Sequence, residues 1–325
     1  MNEVNKEMVT DSMVNKRVAL VLGSGGARGL AHIGAIEALE ARGYKITSIA
    51  GCSMGSIIAG MYAAGQLKEA KEWFLQVDKQ LILRMMDINL LSGNSLVKGE
   101  RIIKELEKVV PDRPLEELNI PCTIVASDMI STEEVVFRTG SLFEAVRASI
   151  SIPLFFQPVQ MGKRLLIDGG ILNPLPLHVV KRTEGDILVA ADISGKDSMP
   201  MDVTIPDPID VEGKLAEISA KGIPVPKSWE KQLRQFGKRV DDYRRKRASD
   251  LGRNVNFFGL LDRMSDMQIQ QNTLLELRLT PPDVHAVMRQ YAYNTFDFDK
   301  AEEIIGKGYK IMDSALEQFE HRQTA

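Results

Sequence analysis

Cysteine is nearly missing from this chain. Cys52 and Cys122 are the only two in 325 residues, both in apolar, strand-like runs, so neither a disulfide framework nor a cysteine-built metal centre is available. They read as small buried hydrophobes in a reducing compartment. Charge of one sign is missing too: 41 Lys and Arg against 44 Asp and Glu leave a formal net charge of -3, which gives the whole molecule no electrostatic footprint for nucleic acid. The start, MNEVNKEMVTDSMVNKR, mixes acids, amides and bases before any apolar run, an order that does not read as a secretory leader; residues 1–16 read as a mobile lead-in. Only residues 46–67 go without a charged side chain over a length that could cross a bilayer. Their glycines, their hydroxyls and the turn sequence in their middle make a buried strand, turn and helix instead. The expectation is a soluble cytoplasmic protein, and its 44% hydrophobic content is enough for a substantial core.

Within that uncharged stretch lies the pentapeptide Gly51-Cys52-Ser53-Met54-Gly55, a G-x-S-x-G pattern. A strand that turns directly into a helix leaves little room for side chains two residues either side of the apex, which is where the glycines stand. Ser53 is thereby held out on a backbone that cannot easily relax, at a helix N-terminus whose unpaired N–H groups favour negative charge. A nucleophile and its oxyanion suit that position.

Upstream, RVALVL (17–22) reads as a strand buried on both faces and empties into Gly23-Ser24-Gly25-Gly26-Ala27-Arg28-Gly29. A helix follows, with Leu30, Ile33, Ile36 and Leu39 at three-residue intervals and Gly43 as its stop. Strand, helix, strand, helix with short links implies parallel strands, right-handed crossovers and helices on both faces of an α/β sheet. The glycine loop and the elbow then share the carboxyl edge of that sheet, where ligands bind. A dinucleotide fingerprint fails on spacing: Gly23, Gly25 and Gly29 give G-x-G-x-x-x-G, Arg28 stands where the third glycine belongs, and no acid ends the second strand. The loop serves better as a row of backbone donors facing Ser53, with Gly25 and Gly26 the donors of an oxyanion hole. Arg28 either adds charge there or pins the loop to a carboxylate.

Residues 66–83 and 99–110 read as amphipathic helices of structural use. PCTIVASDM and EEVVFRTG form a strand pair, SLFEAVRASISIP a helix opened by Ser141, and QPVQMGKRLLID two short strands ending at Asp168-Gly169-Gly170. Asp168 thus occupies a strand end at the same kind of edge position as Ser53. After a last strand, DILVAADIS, the pattern changes: residues 196–298 collect prolines and helical periodicity and read as an insertion or cap. Within it, 227–253 carries ten Lys or Arg against four acids, followed by Phe257, Phe258, Leu260 and Leu261, a combination suited to an anionic membrane surface if it is not simply a solvated face. Residues 299–325 form a final helix whose apolar stripe, Ala301 to Phe319, packs on the core.

With these motifs in hand, the sequence resembles the patatin-like phospholipases, in particular their bacterial members. GSGGARG at 23–29, GCSMG at 51–55 and DGG at 168–170 occur in that family's order, joined by RASISIPLFFQPV and by Asn173-Pro174-Leu175-Pro176. The likeness covers about residues 17–195, with weaker echoes in PPDV and FDFDKAEEIIGKGY, and Ser24 departs from the usual third glycine of the first motif. It implies a three-layer α/β fold with a mainly parallel central sheet and a catalytic core at 17–195; residues 196–280, within the helical cap read above at 196–298, have no counterpart in it. It also implies hydrolysis of lipid carboxylic esters by a Ser53–Asp168 dyad, Ser53 as nucleophile and Asp168 as general base, with no metal or cofactor. The phospholipid, lysophospholipid or acylglycerol substrate stays open, and membrane contact would be peripheral, at the inner face. Two alternatives stand beside it: a Ser53-Asp168-His285 triad, since His285 is the one late histidine outside the polar tail, and a non-catalytic lipid-binding module that keeps the fold.

Overall fold

A computed structural model of the chain describes residues 16–77, 99–153, 155–196 and 257–324, with isolated positions between 227 and 238. The expected alternation forms. β1 (Arg17–Leu22), α1 (Ala31–Ala41), β2 (Lys45–Cys52) and α2 (Met54–Ala63) follow one another with short links. Next come α3 (Leu67–Leu75), α4 (Glu100–Glu107), β3 (Cys122–Asp128) and β4 (Glu134–Phe137). α5 (Leu142–Ser149) opens at Ser141, whose hydroxyl accepts the Glu144 N–H. β5 (Val159–Met161), β6 (Arg164–Asp168), β7 (Ile187–Gly195), α6 (Phe257–Leu279), β8 (Val284–Arg289) and α7 (Ala301–Thr324) complete the described strands and α-helices.

Five strands run parallel in the order β3-β2-β1-β7-β8, and antiparallel β4, β6 and β5 extend the sheet from β3. The alternation along β1 splits the core in two. Val18, Leu20 and Leu22 pack beneath α1, α2 and α7, while Ala19 and Val21 join Leu175, Leu177 and Leu188 on the other face, with Leu277 of α6 against them. Three layers result. α7 lies on α1 backbone to backbone: a Cβ at Gly308 would stand 2.0 Å from the Ala31 carbonyl oxygen, so only glycine permits that approach. Both cysteines are buried, and burial pushes the Cys122 thiol up to about 12 and Cys52 well above the usual range.

β8 corrects the expected boundary, since residues 284–289 lie inside the stretch 196–298 read as cap yet pair in parallel with β7. Its alternating burial is that of an edge strand with one covered face, a weak signal in six residues behind two prolines. The lead-in 1–15, most of 196–256 and the basic residues Arg244, Arg245, Lys246 and Arg247 lie outside the described residues. Phe257, Phe258, Leu260 and Leu261 fall at the start of α6, their side chains likewise outside. Among the described residues no helix is long and apolar enough to cross a membrane.

Candidate active site

The elbow is built by close backbone approach. A Cβ on Gly51 would stand 2.3 Å from the Gly55 carbonyl oxygen, and one on Gly55 2.3 Å from that of Leu22, so α2 can spring from the end of β2 only with glycine at both places. The apex takes the strain: Ser53 has φ 54° and ψ -124°, a backbone state worth about 1–3 kcal/mol against a serine. Its N–H donates to the Ser149 hydroxyl at 2.9 Å and its carbonyl accepts the Ser56 hydroxyl at 2.6 Å, which hold the turn from both sides.

Strand register brings the aspartate to it. Residues 124–127 of β3 pair with β4 on one edge, so β2, which pairs with 122–125, and β6, which pairs with 126–128, share the other edge end to end. Cys52 stands opposite Val125 and Asp168 opposite Ala126. The two strands therefore run toward each other and stop at adjacent positions, leaving Ser53 and Asp168 face to face. The Ser53 Oγ donates to Asp168 Oδ2 at 2.6 Å, while Oδ1 accepts the Gly170 N–H at 2.7 Å. The Asp168 N–H is tied to the Ser151 carbonyl at 2.9 Å. Gly169 packs on the Val125 carbonyl and Gly170 on the Ser24 hydroxyl. Burial raises the Asp168 carboxyl to about 6, against the pull of the Ser53 hydroxyl and the Gly170 amide. A carboxylate so placed is ionised near neutral pH yet far more basic than a free one.

The glycine loop sits beside this pair. The Gly23, Ser24 and Ala27 amides are committed to the carbonyls of Ala191, Pro174 and Thr295, whereas no such acceptor faces the amides of Gly25 and Gly26 among the described residues. Gly26, with φ 57°, lines the same cavity as Ser53. Gly29 packs against the Met54 side chain. The buried Arg28 guanidinium donates to the Ile193 carbonyl at 2.9 Å and the Tyr293 carbonyl at 3.0 Å; these partners are backbone carbonyls, where the sequence suggests a carboxylate. Sequence reasoning gave no part to His32, which is fully buried beneath the loop with Nε2 2.8 Å from the Gly23 carbonyl oxygen. Desolvation lowers it to about 4, so the ring is neutral and the proton that donates to that carbonyl is on Nε2.

Ser53 opens into an apolar cleft of about 750 Å³, solvent at its mouth included, lined among others by Trp73, Phe74, Ile102, Leu106, Phe156 and Phe296. Four of these come from α3 and α4, the helices read as structural. They are the cavity wall, and no sequence signal separates an amphipathic face that packs on a sheet from one that leaves a tunnel beside it. No imidazole stands between Ser53 and Asp168: His285 is on β8 with Nε2 3.2 Å from Asp192 Oδ2. His178 lies between Glu276 at 2.9 Å and Glu134 at 3.1 Å; burial pulls its pKa down, and the two carboxylates together outweigh it and raise the pKa. Among the described residues no group of three or more His, Cys, Asp or Glu is placed to hold a metal ion.

Residues 20–181 match the family model described as patatin-like phospholipase. An uncharacterized NTE family protein of Mycobacterium tuberculosis is 43% identical over 184 residues, 57% of this chain and 51% of that protein. Patatin-like phospholipase domain-containing protein 6 of Homo sapiens is 28% identical over 236 residues, 64% of this chain and 17% of that protein. VipD from Legionella pneumophila overlays with a TM-score of 0.43 and 16% identity over 93% of this chain and 67% of that one, too loosely to add weight. The chain spans about half the length of the mycobacterial relatives it matches.

Proposed function

The chain belongs to the patatin-like phospholipase family, and from that premise we propose that it hydrolyses carboxylic esters of lipids through a Ser53–Asp168 dyad. The observation that carries the reading is the 2.6 Å contact from the Ser53 hydroxyl to a buried carboxylate at the mouth of an apolar cleft. In the first half-reaction the Ser53 oxygen attacks the ester carbonyl carbon while its proton passes to Asp168. The carbonyl oxygen, now an anion, accepts hydrogen bonds from the Gly25 and Gly26 amides. Collapse of the tetrahedral intermediate expels the alcohol, which takes the proton from Asp168 and leaves an acyl-serine. Water then attacks that ester, gives its proton to Asp168, and the fatty acid departs as the proton returns to Ser53.

The cleft walls suit an acyl chain, because aromatic and aliphatic side chains remove its methylenes from water at about 0.8 kcal/mol each. The substrate class is a phospholipid, lysophospholipid or acylglycerol. The catalytic unit comprises residues 17–195 together with β8, and the intervening stretch acts as a cap. Hydrolysis of a p-nitrophenyl acyl ester tests the chemistry. Slow but measurable turnover is expected in the intact protein, absent in Ser53→Ala and in Asp168→Asn. Full activity in either variant rules out the dyad, and lipid binding without any turnover would make the chain a binding module.

The protein acts in the cytoplasm, reaching its lipid by peripheral contact with an anionic surface through the basic stretch at 227–253. Each basic residue near such a surface contributes about 1 kcal/mol. Replacing Arg244, Arg245, Lys246 and Arg247 by Gln is therefore expected to weaken vesicle binding, which should rise with anionic lipid and fall with salt, while hydrolysis of a short soluble ester is unchanged. Binding that ignores the four replacements would reduce the run to a solvated face.

A further inference from the structure

A backbone donor is useful to an oxyanion only if its peptide plane is held in the right sense, and a glycine-rich loop does not hold itself. In a trans peptide the C=O and N–H point in opposite directions, so whatever grips the Ser24 carbonyl also aims the Gly25 amide. The grip comes from β7: the Ser194 hydroxyl donates to the Ser24 carbonyl at 2.7 Å. Ser194 is itself buried, and its N–H donates to Asp192 Oδ1 at 2.9 Å, whose other oxygen faces His285. β1 lies between β7 and β2 in the sheet, and the loop that leaves β1 lies between their ends. A Ser24 carbonyl turned toward β7 therefore turns the Gly25 N–H toward the end of β2, where Ser53 stands. The preceding peptide is fixed in the same manner by His32, through the Gly23 carbonyl.

We propose that Ser194 is a positioning residue of the oxyanion hole, its hydroxyl holding the Ser24–Gly25 peptide so that the Gly25 amide meets the oxygen on which negative charge develops. The role rests on the hydrolase reading above. It demands a hydroxyl, since the methyl group of alanine leaves the Ser24 carbonyl free to rotate and the carbonyl and amide ends of the plane to exchange.

The test uses the full chain, a soluble acyl ester, and two reversible ligands of the same carbon skeleton. One is a trifluoromethyl ketone, which adds to Ser53 as an oxyanion; the other is the corresponding alcohol, which cannot. Removal of an oxyanion donor lowers kcat by about 100- to 1,000-fold, and a donor left in place but released should lose at least about tenfold. Ser194→Ala is expected to lose that much in kcat with KM nearly unchanged. Its affinity for the ketone should fall by the same factor and its affinity for the alcohol should hold. Ser194→Thr, which keeps the hydroxyl, restores kcat and ketone binding together. If alanine prevents folding, Ser194→Cys gives the same comparison with a weaker donor and an intermediate loss. Unchanged kcat in Ser194→Ala or in Ser194→Cys, or ketone and alcohol affinities that fall in step, would overturn the assignment while Ser53-dependent hydrolysis persists. Absence of Ser53-dependent hydrolysis in the intact protein would instead remove the hydrolase reading and this role with it.

Discussion

Two serines stand beside two buried aspartates at the same edge of this sheet, and only one pair is arranged to react. At the end of β2 the Ser53 hydroxyl donates to the Asp168 carboxylate, an acceptor that can keep the proton. At the end of β7 the arrangement is reversed: it is the Ser194 amide that donates to Asp192, and the Ser194 hydroxyl donates to a peptide carbonyl, which cannot keep a proton. Residue types, burial and distances are much alike. What separates a nucleophile from a support is the atom that receives the hydroxyl hydrogen, together with access to the cleft, which Ser53 lines. The second pair even has a histidine attached, His285, and still lacks the geometry of a triad.

The largest effect that would sharpen this contrast is the pH dependence of hydrolysis. Burial raises Asp168 to about 6, and the base must be ionised to accept the Ser53 proton. Log kcat/KM is therefore expected to rise with pH to a plateau above about 6 and to fall roughly tenfold per unit below it. Stability moves the other way. For a carboxyl whose folded pKa is raised, the favourable contribution is full below its ordinary value of 3.8 and is lost as pH rises through about 6. Asp168→Asn removes that ionisation penalty, about 3 kcal/mol at most from a shift of this size. Melting curves of the variant and the parent should therefore separate in the variant's favour between pH 4 and pH 8. An acid limb near pH 4, or a gap in melting temperature that does not change with pH, would show that Asp168 is not held out of water.

Much of the reactive side was legible in the residues themselves. Gly51 and Gly55 mark the elbow because neighbouring atoms already fill the place a Cβ would occupy, and the glycine pair directly after Asp168 packs as closely, on Val125 and Ser24. The stripe from Ala301 to Phe319 gave α7, since helix periodicity over many residues is hard to mimic. The supporting side was not legible. β8 reaches β7 across a long intervening stretch, and its register, Val284 opposite Val189, is written nowhere in the local sequence. Ser194 and Asp192 look like ordinary polar residues at the end of a strand, and His32 like any histidine on an apolar helix, until the loop is folded over them. The cavity escaped for a related reason: its walls come from α3 and α4, whose apolar faces would read the same packed against a sheet.

The smallest expected effect falls on His285, and it is the one that most directly tries the comparison. Its ring is about a third exposed and meets Asp192 Oδ2 at 3.2 Å, while Asp192 keeps the Ser194 amide on its other oxygen whether or not the imidazole is there. A hydrogen bond from a ring this open to solvent contributes about 1 kcal/mol, and water can replace the ring. His285→Ala is accordingly expected to change kcat/KM on a short soluble ester by about twofold or less, well below the loss in Ser194→Ala and far below that in Ser53→Ala. A loss matching Ser53→Ala, with the fold intact by circular dichroism, would make His285 the proton carrier. It would also require the imidazole to leave Asp192, because a histidine essential to catalysis must reach the Ser53 oxygen, and this one is held by Asp192.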